Sequence, residues 1–426
     1  MTDSQILMNQ IQNHQHDDLL TDIYVDTNKL EYQRNRYISA IRTYEEIFEP
    51  GAIEIYSAPG RSEIGGNHTD HQHGEVLAAS INQDVIAIVQ KTDDNLLRIV
   101  SDKQSMITID LSHLEKKEEE KGTTLSIIKG VLAGMKNHNY NIGGFQAYIT
   151  SDVLIGAGLS SSAAFETIIG TILSGLYNNM EISPTDIAII GQYAENVYFG
   201  KPCGLMDQMA CSVGSLVHID FAKPNTPAVT RVEFDFDKQG YSLCITDTKG
   251  SHADLTSDYA AVPAEMKQVA AYFGKEYLCE ITKEDLLSNM KEIRKQTSDR
   301  AVLRAIHFFE ENTRVQQEVN ALKSGNFQTF LNTVRASGDS SFKYLQNVYT
   351  NHDVAHQNVS VALAISDTLL KESGVSRVHG GGFAGTIQAF VKNTTVNEYQ
   401  KAMNEIFGES ACSILKIRKY GGMKVF

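Results

Sequence analysis

The run Gly156-Ala157-Gly158-Leu159-Ser160-Ser161-Ser162-Ala163 sets glycines, then hydroxyls, then small residues in one line, and its chemistry is anion binding. The two glycines permit backbone conformations closed to other residues, so successive N–H groups can converge on one phosphate. An apolar stripe follows at Phe165, Ile168, Ile169, Ile172, Leu173 and Leu176, spaced as one face of a helix. That places the serines at a helix N-terminus, where the dipole and the unpaired N–H groups favour negative charge. No Gly-Lys-Ser/Thr follows, and the last glycine of a dinucleotide fingerprint is missing. A capped helix after a turn is the competing reading, since serine and glycine are favoured at helix starts.

Upstream, the segment 58–74 gathers Arg61, Ser62, Glu63, Asn67, His68, Thr69, Asp70, His71 and His73 between two strand-like runs. His68, Asp70, His71 and His73 are all potential metal ligands. They lack helical His-x-x-x-His spacing, however, and the mixture of amide, imidazole, hydroxyl and carboxylate suits a polyhydroxylated ligand better. A third glycine cluster, His379 to Gly385, precedes a strand-like run at Thr386 to Val391, where a dinucleotide fold needs a helix. It is either a structural hairpin or a backbone wall close to a ligand. Asp207, just after Gly204, would by itself be a helix N-cap, and Glu195 a solvated helix carboxylate.

These residues need a large scaffold. A chain of 426 residues exceeds one ordinary core, so two domains are expected. With 52 acidic against 38 basic side chains the formal charge is −14, which disfavours nucleic acid and anionic membrane as partners. Five scattered cysteines, with no Cys-x-x-Cys pair, fit a reducing cytoplasm. There is neither a basic segment followed by an apolar stretch at the N-terminus nor an apolar run of membrane-spanning length, so export and membrane insertion are not expected.

Residues 1–45 carry helical spacing and are expected to form an N-terminal helical extension. Residues 46–220 alternate glycine loops with strands (Ile53 to Ser57, Val85 to Gln90, Phe145 to Thr150) and helices, and are expected to form the first domain. One of its helices opens at Ser183-Pro184-Thr185-Asp186, a capping box with proline at the first helical position, and carries the stripe Ile187, Ile190, Ala194 and Val197. Glu195 then lies about 100° around from Ala194, at the edge of the buried face. Residues 221–426 are expected to form a second, α+β domain, with helices near 258–273, 300–323 and 357–372. The run Cys412 to Ile417 reads as a terminal strand that pairs either there or back in the first domain.

Taken together, these segments resemble the galactokinase branch of the GHMP small-molecule kinases from about residue 50 onwards. The resemblance rests on Gly60-Arg61 with His68-Thr69-Asp70, on Gly156 to Ala163, and on Gly380 to Gly385. Gln192-x-x-Glu195, Cys203-Gly204-Leu205-Met206-Asp207-Gln208, Ser257-Asp258-Tyr259, and Arg300-Ala301 with His307, Glu311 and Arg314-Val315 extend it. It implies an α+β, two-domain GHMP kinase fold with the active site in the cleft between the domains. The implied activity is ATP-dependent phosphorylation of a small-molecule sugar, galactose foremost, at its anomeric hydroxyl. On that likeness Asp207 takes the proton or orients the hydroxyl, while Arg61 stabilises charge on the transferred phosphoryl group and holds Asp207 ionised. Gly156, Ala157, Gly158, Leu159, Ser160, Ser161 and Ser162 would wrap the phosphates, with Ser101 a further nucleotide contact. Ser162 and Glu195 would ligate Mg²⁺. Asn67, His68, Asp70, Gly204 and Tyr259 would bind the sugar.

The chain departs from the family's Arg-x-Asn-x-Ile-Gly-Glu-His-Thr-Asp-Tyr pattern. Glu63 replaces the asparagine, Gly65 the isoleucine, Asn67 the glutamate and His71 the tyrosine. The family's glutamate accepts a hydrogen bond from the sugar's 6-hydroxyl. A neutral Asn67 removes a charge that would repel a carboxylate at C6, so a C6-modified galactose is an expected alternative substrate.

Overall fold

The structure, a computed structural model, describes residues 1–102, 104–154, 158–223, 226–251 and 255–426. Two sheets organise them. The first contains Thr2–Asp3 (β1), Ala52–Gly65 (β2), Glu75–Lys91 (β3), Leu96–Ser101 (β4), Ile107–Asp110 (β5), Phe145–Ser151 (β6), Leu216–Asp220 (β7) and Ala228–Val232 (β8). The second contains Tyr241–Asp247 (β9), Gly374–His379 (β10), Thr386–Lys392 (β11) and Cys412–Leu415 (β12), in the order β10-β11-β9-β12. The chain then returns to the first sheet, where Met423–Lys424 (β13) pairs with β2.

Side chains alternate across a strand, so a sheet with apolar residues on both faces must be covered twice. In β3, Val85, Ala87 and Val89 face one way. They pack with Ile128, Val131 and Leu132 of the helix Thr124–Asn137 and with Ile168, Ile169 and Ile172 of the helix Ser161–Asn178. Ile86 and Ile88 face the other way, with Ile53 and Ile55 of β2. They are covered by Leu7 and Ile11 of the helix Ser4–Gln12, Leu20 and Ile23 of Asp17–Tyr24, and Tyr37, Ile41 and Tyr44 of Leu30–Phe48. The first 48 residues are thus a covering layer of the first sheet, and β1 adds an edge pair to β2.

One buried cluster fastens this layer. Asp84 lies between Arg36 (2.6 Å) and Arg418 (2.9 Å) and also accepts from Tyr24 (2.9 Å) and Ser57.

The chain crosses to the second sheet after Val232 rather than at residue 220, because β7 and β8 form a hairpin on the edge of β3. The terminal run divides between both possibilities: Cys412–Leu415 pairs with β9, and Ile417 bridges to Ile81 of β3. The second sheet is covered by Phe327–Ser340, Asn358–Leu370 and Val396–Phe407, whereas Asp299–Lys323 packs on β2, β3 and β8 of the first sheet and carries Thr256–Tyr272 and Lys283–Gln296 against its side. No helix among the described residues is long and apolar enough to cross a membrane.

Candidate active site

Arg61 and Asp207 meet although 146 residues separate them. Arg61 lies on β2, and Asp207 is in the first turn of the helix Met206–Val213, whose N-cap is Leu205. The Arg61 Nε donates to Asp207 Oδ1 at 2.7 Å, and the Ser160 hydroxyl donates to Asp207 Oδ2 at 2.5 Å. Arg61 also donates through its side chain to the Gly158 carbonyl and through its backbone N–H to the Leu159 carbonyl. Thus the end of the phosphate-type loop, the arginine and the carboxylate form one unit. Burial works to raise the Asp207 pKa, but the attraction and hydrogen bonds of Arg61, with that of Ser160, outweigh it and hold the carboxyl below its usual range. Its side chain remains 35% exposed, so the ionised carboxylate is still accessible.

Ser160 takes a left-handed conformation (φ 58°) immediately before the helix Ser161–Asn178, and its side chain does not cap that helix. The amide groups of the helix start are therefore left to another partner, as an anion site requires. Ser161 is half-buried and Ser162 exposed. Gly158, with φ +66°, packs so close to the second sheet that a Cβ would lie 2.9 Å from Thr386 Oγ1 and 3.2 Å from His379 Nδ1. Gly156 and Ala157 lie outside the described residues. Ser101 ends β4, paired with Ile149 of β6, the strand that feeds the loop. No hydrogen bond among the described residues ties it to the other candidates.

The helix Pro184–Tyr193 begins at the expected proline, with Ser183 accepting from Asp186 N at 3.0 Å, but the expected capping box is only half formed, because the Asp186 carboxylate accepts from Tyr140 at 2.7 Å. It then continues through a π-helical turn, Ala194–Phe199. Such a turn inserts an extra residue and rotates everything after it. Val197, expected on the buried stripe, is accordingly 38% exposed, and Tyr198 is buried in its place. Glu195 is turned inward, where Lys201 Nζ approaches Oε1 at 3.1 Å and Gln208 Nε2 donates to Oε2 at 3.0 Å. The same Gln208 nitrogen donates to Glu166 Oε2 at 3.0 Å. Burial and the neighbouring Glu195 push the Glu166 carboxyl well up. Glu195 offers a buried carboxylate and Ser162 an exposed hydroxyl, donor types that suit a hard cation such as Mg²⁺.

On the other side of Asp207, Gly204 abuts Asp70, and any Cβ there would lie 2.0 Å from Asp70 Oδ2. Burial raises the Asp70 pKa and the nearby Asp207 charge adds to this, against the attraction of His68. His68 Nε2 donates to the Gly381 carbonyl (3.0 Å), so in the neutral ring its Nδ1 accepts from His71 Nε2 (2.8 Å). His73 instead stacks on Tyr277, 3.9 Å between centroids. The described residues include no group of three or more His, Cys, Asp or Glu side chains able to hold a metal.

The third glycine cluster is the loop of the β10–β11 hairpin and also a wall of this site. Three successive carbonyls each accept from a candidate sugar contact: Gly380 from Asn67 (2.7 Å), Gly381 from His68, and Gly382 from Tyr259 (2.8 Å). Burial pushes the Tyr259 phenol up to about 12, so it keeps its proton and donates. Gly381 is obligatory, since a Cβ would lie 2.8 Å from the Tyr259 ring.

Asn67 corrects the sequence-based expectation. It is 0% exposed, and its amide is saturated by protein. Besides Gly380, it donates to Glu63 Oε1 (3.1 Å) and accepts from Asn347 Nδ2 (2.9 Å) and Ser341 Oγ (3.2 Å). A side-chain amide with two donors and two acceptors filled has none left for a sugar hydroxyl. Glu63 is likewise buried, 2.5 Å from Arg377, and burial pushes its carboxyl up even so. Gly65 also finds its reason here, because a Cβ would lie 1.8 Å from Glu318 Oε2.

Arg377, Glu318, Asn347, Lys201 and Glu166 have no distinguishing local pattern, and sequence reasoning missed their part; Gln208 stands in a motif quoted there but without a role. His307 and Glu311, noted there without a role, support the sugar motif from behind. His307 donates to the Asn67 carbonyl, and Glu311 accepts from the Gly66 and Asn67 amides. Burial pushes His307 down to about 4.

Comparison with known proteins agrees with this geometry. Residues 126–215 match the family described as GHMP kinases N terminal domain, and residues 42–91 match the galactokinase galactose-binding signature. A galactokinase of Glaesserella parasuis serovar 5 (strain SH0165) is 29% identical over 364 residues, 85% of this chain and 91% of the relative. A galactokinase of Lactococcus lactis subsp. lactis (strain IL1403) is 27% identical over 377 residues, 86% of this chain and 90% of the relative. The crystal structure of Lactococcus lactis galactokinase complexed with galactose superposes with a TM-score of 0.77 at 25% identity, covering 90% of this chain and 98% of that one. The Methanococcus jannaschii mevalonate kinase shares the fold, with a TM-score of 0.60 at 16% identity over 86% of this chain and 99% of that one.

Proposed function

The chain belongs to the GHMP kinases, in their galactokinase branch, and we propose that it transfers the γ-phosphoryl group of ATP to the anomeric hydroxyl of galactose, giving galactose 1-phosphate. The observation that carries the reading is the Arg61–Asp207–Ser160 unit, which joins a carboxylate held ionised to the end of an anion-binding loop. Phosphoryl transfer depends on positioning and electrostatics more than on covalent help, and this unit offers both. Asp207 orients the sugar's C1 hydroxyl and takes its proton. Arg61 fixes Asp207 and places positive charge beside the phosphoryl group in flight.

In this reading the loop ending at Ser162 wraps the phosphates. Ser162 and Glu195 hold Mg²⁺, which when bound neutralises phosphate charge. Gln208 and Lys201 fix the Glu195 carboxylate in the meantime. The sugar rests against Asp70, Gly204, His68 and Tyr259. All five cysteines are unpaired, in keeping with a cytoplasmic enzyme that handles only small molecules.

A second reading, a kinase for a C6- or C2-modified galactose, is favoured by one observation: Asn67 is withdrawn into the protein and presents neither charge nor a free amide to the sugar. A non-catalytic sugar- and ATP-binding regulator is disfavoured by the intact Arg61–Asp207 pair. Release of ADP should be measured with galactose, galactosamine, N-acetylgalactosamine, galacturonate, glucose and arabinose. We expect the highest kcat/KM with galactose. Preference for galacturonate or N-acetylgalactosamine establishes the second reading, and no turnover with any sugar overturns the kinase assignment.

A further inference from the structure

Glu63, at the end of β2, and Asn67, four residues on, are both buried polar side chains behind the glycine loop 380–382. These two side chains touch, with Asn67 Nδ2 donating to Glu63 Oε1 at 3.1 Å. The surroundings dictate which residue sits where. Position 63 faces Arg377, whose NH2 lies 2.5 Å from the Glu63 carboxylate, so a negative charge is neutralised there. Position 67 faces the Gly380 carbonyl, which needs a donor that an amide has and an ionised carboxylate lacks. The reverse assignment in this chain would put a buried charge against a carbonyl and leave Arg377 facing a neutral amide. Gly65 belongs to the same arrangement, since only a residue without Cβ leaves room for the buried Glu318 beside Arg377 and Glu63.

We propose that Glu63 and Asn67 are a coupled positioning pair that sets the sugar-facing wall through the glycine loop 380–382, a role that rests on the sugar-kinase reading above. Asn67 fixes the Gly380 carbonyl, and Asn347, which donates to Asn67, also donates to the Gly381 carbonyl (3.3 Å) that His68 holds. Tyr259 holds the next carbonyl. Neither Glu63 nor Asn67 touches substrate. They act by fixing where His68 and Tyr259 stand.

The test is a double-mutant cycle of Glu63→Asn and Asn67→Glu in the full chain, read by thermal unfolding and by kinetics. Asn67→Glu sets two carboxylates side by side in the wild-type background but not in Glu63→Asn. Its cost in Tm should therefore be at least about 5 °C larger in the wild-type background. Equal costs in the two backgrounds overturn the coupling. Asn67→Ala removes the Gly380 donor without adding charge. It should change the kcat/KM ratio of galactose to at least one of its 2-, 4- and 6-deoxy forms by about fivefold or more, with KM for ATP altered less than about twofold. Unchanged sugar ratios make the pair merely structural and overturn the positioning role. If the wild-type protein turns over no sugar, the kinase reading fails, while the unfolding cycle still decides the coupling.

Discussion

Asp207→Asn is expected to lower kcat by about 10² or more while leaving nucleotide affinity nearly unchanged. Asparagine preserves the shape of the side chain and an oxygen for the 2.7 Å contact with Arg61, so the loop end at Gly158 and Leu159 keeps its anchor. What disappears is the charge. The carboxylate is kept ionised chiefly by Arg61, against its own burial, and an amide can neither take the proton of a sugar hydroxyl nor balance that guanidinium. Stopped-time assays of ADP formation, paired with calorimetric titration of a non-hydrolysable ATP analogue, separate the two quantities. Near-normal turnover in the variant would remove Asp207 from the mechanism, and lost nucleotide affinity would make it part of the phosphate site instead.

A large effect of a different kind is expected from Asp84→Ala, a loss of about 3–5 kcal/mol of stability. Asp84 is fully buried between Arg36 and Arg418, also fully or almost fully buried, and removing it takes the carboxylate from Arg418 in the interior and leaves Arg36 only the less buried Asp152 at 3.2 Å. Burial works to raise the Asp84 pKa, but the two arginines prevail and hold it below the usual carboxylate range. The three residues belong to the N-terminal layer, the first sheet and the returning C-terminal segment, so the loss should also loosen residues 1–48. Denaturant unfolding with limited proteolysis reports both. A loss below about 1 kcal/mol would mean that the covering layer is held by its apolar contacts alone.

Local chemistry was legible in the sequence. The serine-rich helix start from Ser160, the Ser183-Pro184 helix start and the glycine hairpin before a strand all depend on neighbours a few residues away, and the structure places each of these where its residues indicate. The helix Thr124–Asn137 was hidden because Gly130 and Gly134 break its apolar stripe. They are needed for close packing, as Cβ atoms there would come within 2.7 Å of Ala194 and 2.8 Å of Ile190. The π-helical turn left no mark that periodicity could detect, so the position of Val197 was misjudged while Glu195 was still singled out.

Asn67 shows a harder limit. Its residue type was noticed, but its direction is set by Asn347 and Ser341, 280 and 274 residues further along, and its neighbour Glu63 is held by Arg377 at a separation of 314. Hydrogen bonds over such distances arise where the end of β2 meets β10 and the helical segment around Ser341, a meeting that a linear pattern does not contain.

The central claim is transfer of a phosphoryl group to the anomeric oxygen of galactose, and the product itself tests it most directly. Galactose labelled with ¹³C at C1 should be incubated with the protein and Mg-ATP, and the product examined by ³¹P and ¹³C NMR. Splitting of the C1 resonance by phosphorus, in step with ADP formation, is the predicted result. Phosphate attached at another carbon, or ADP formed with free galactose unchanged, would contradict it.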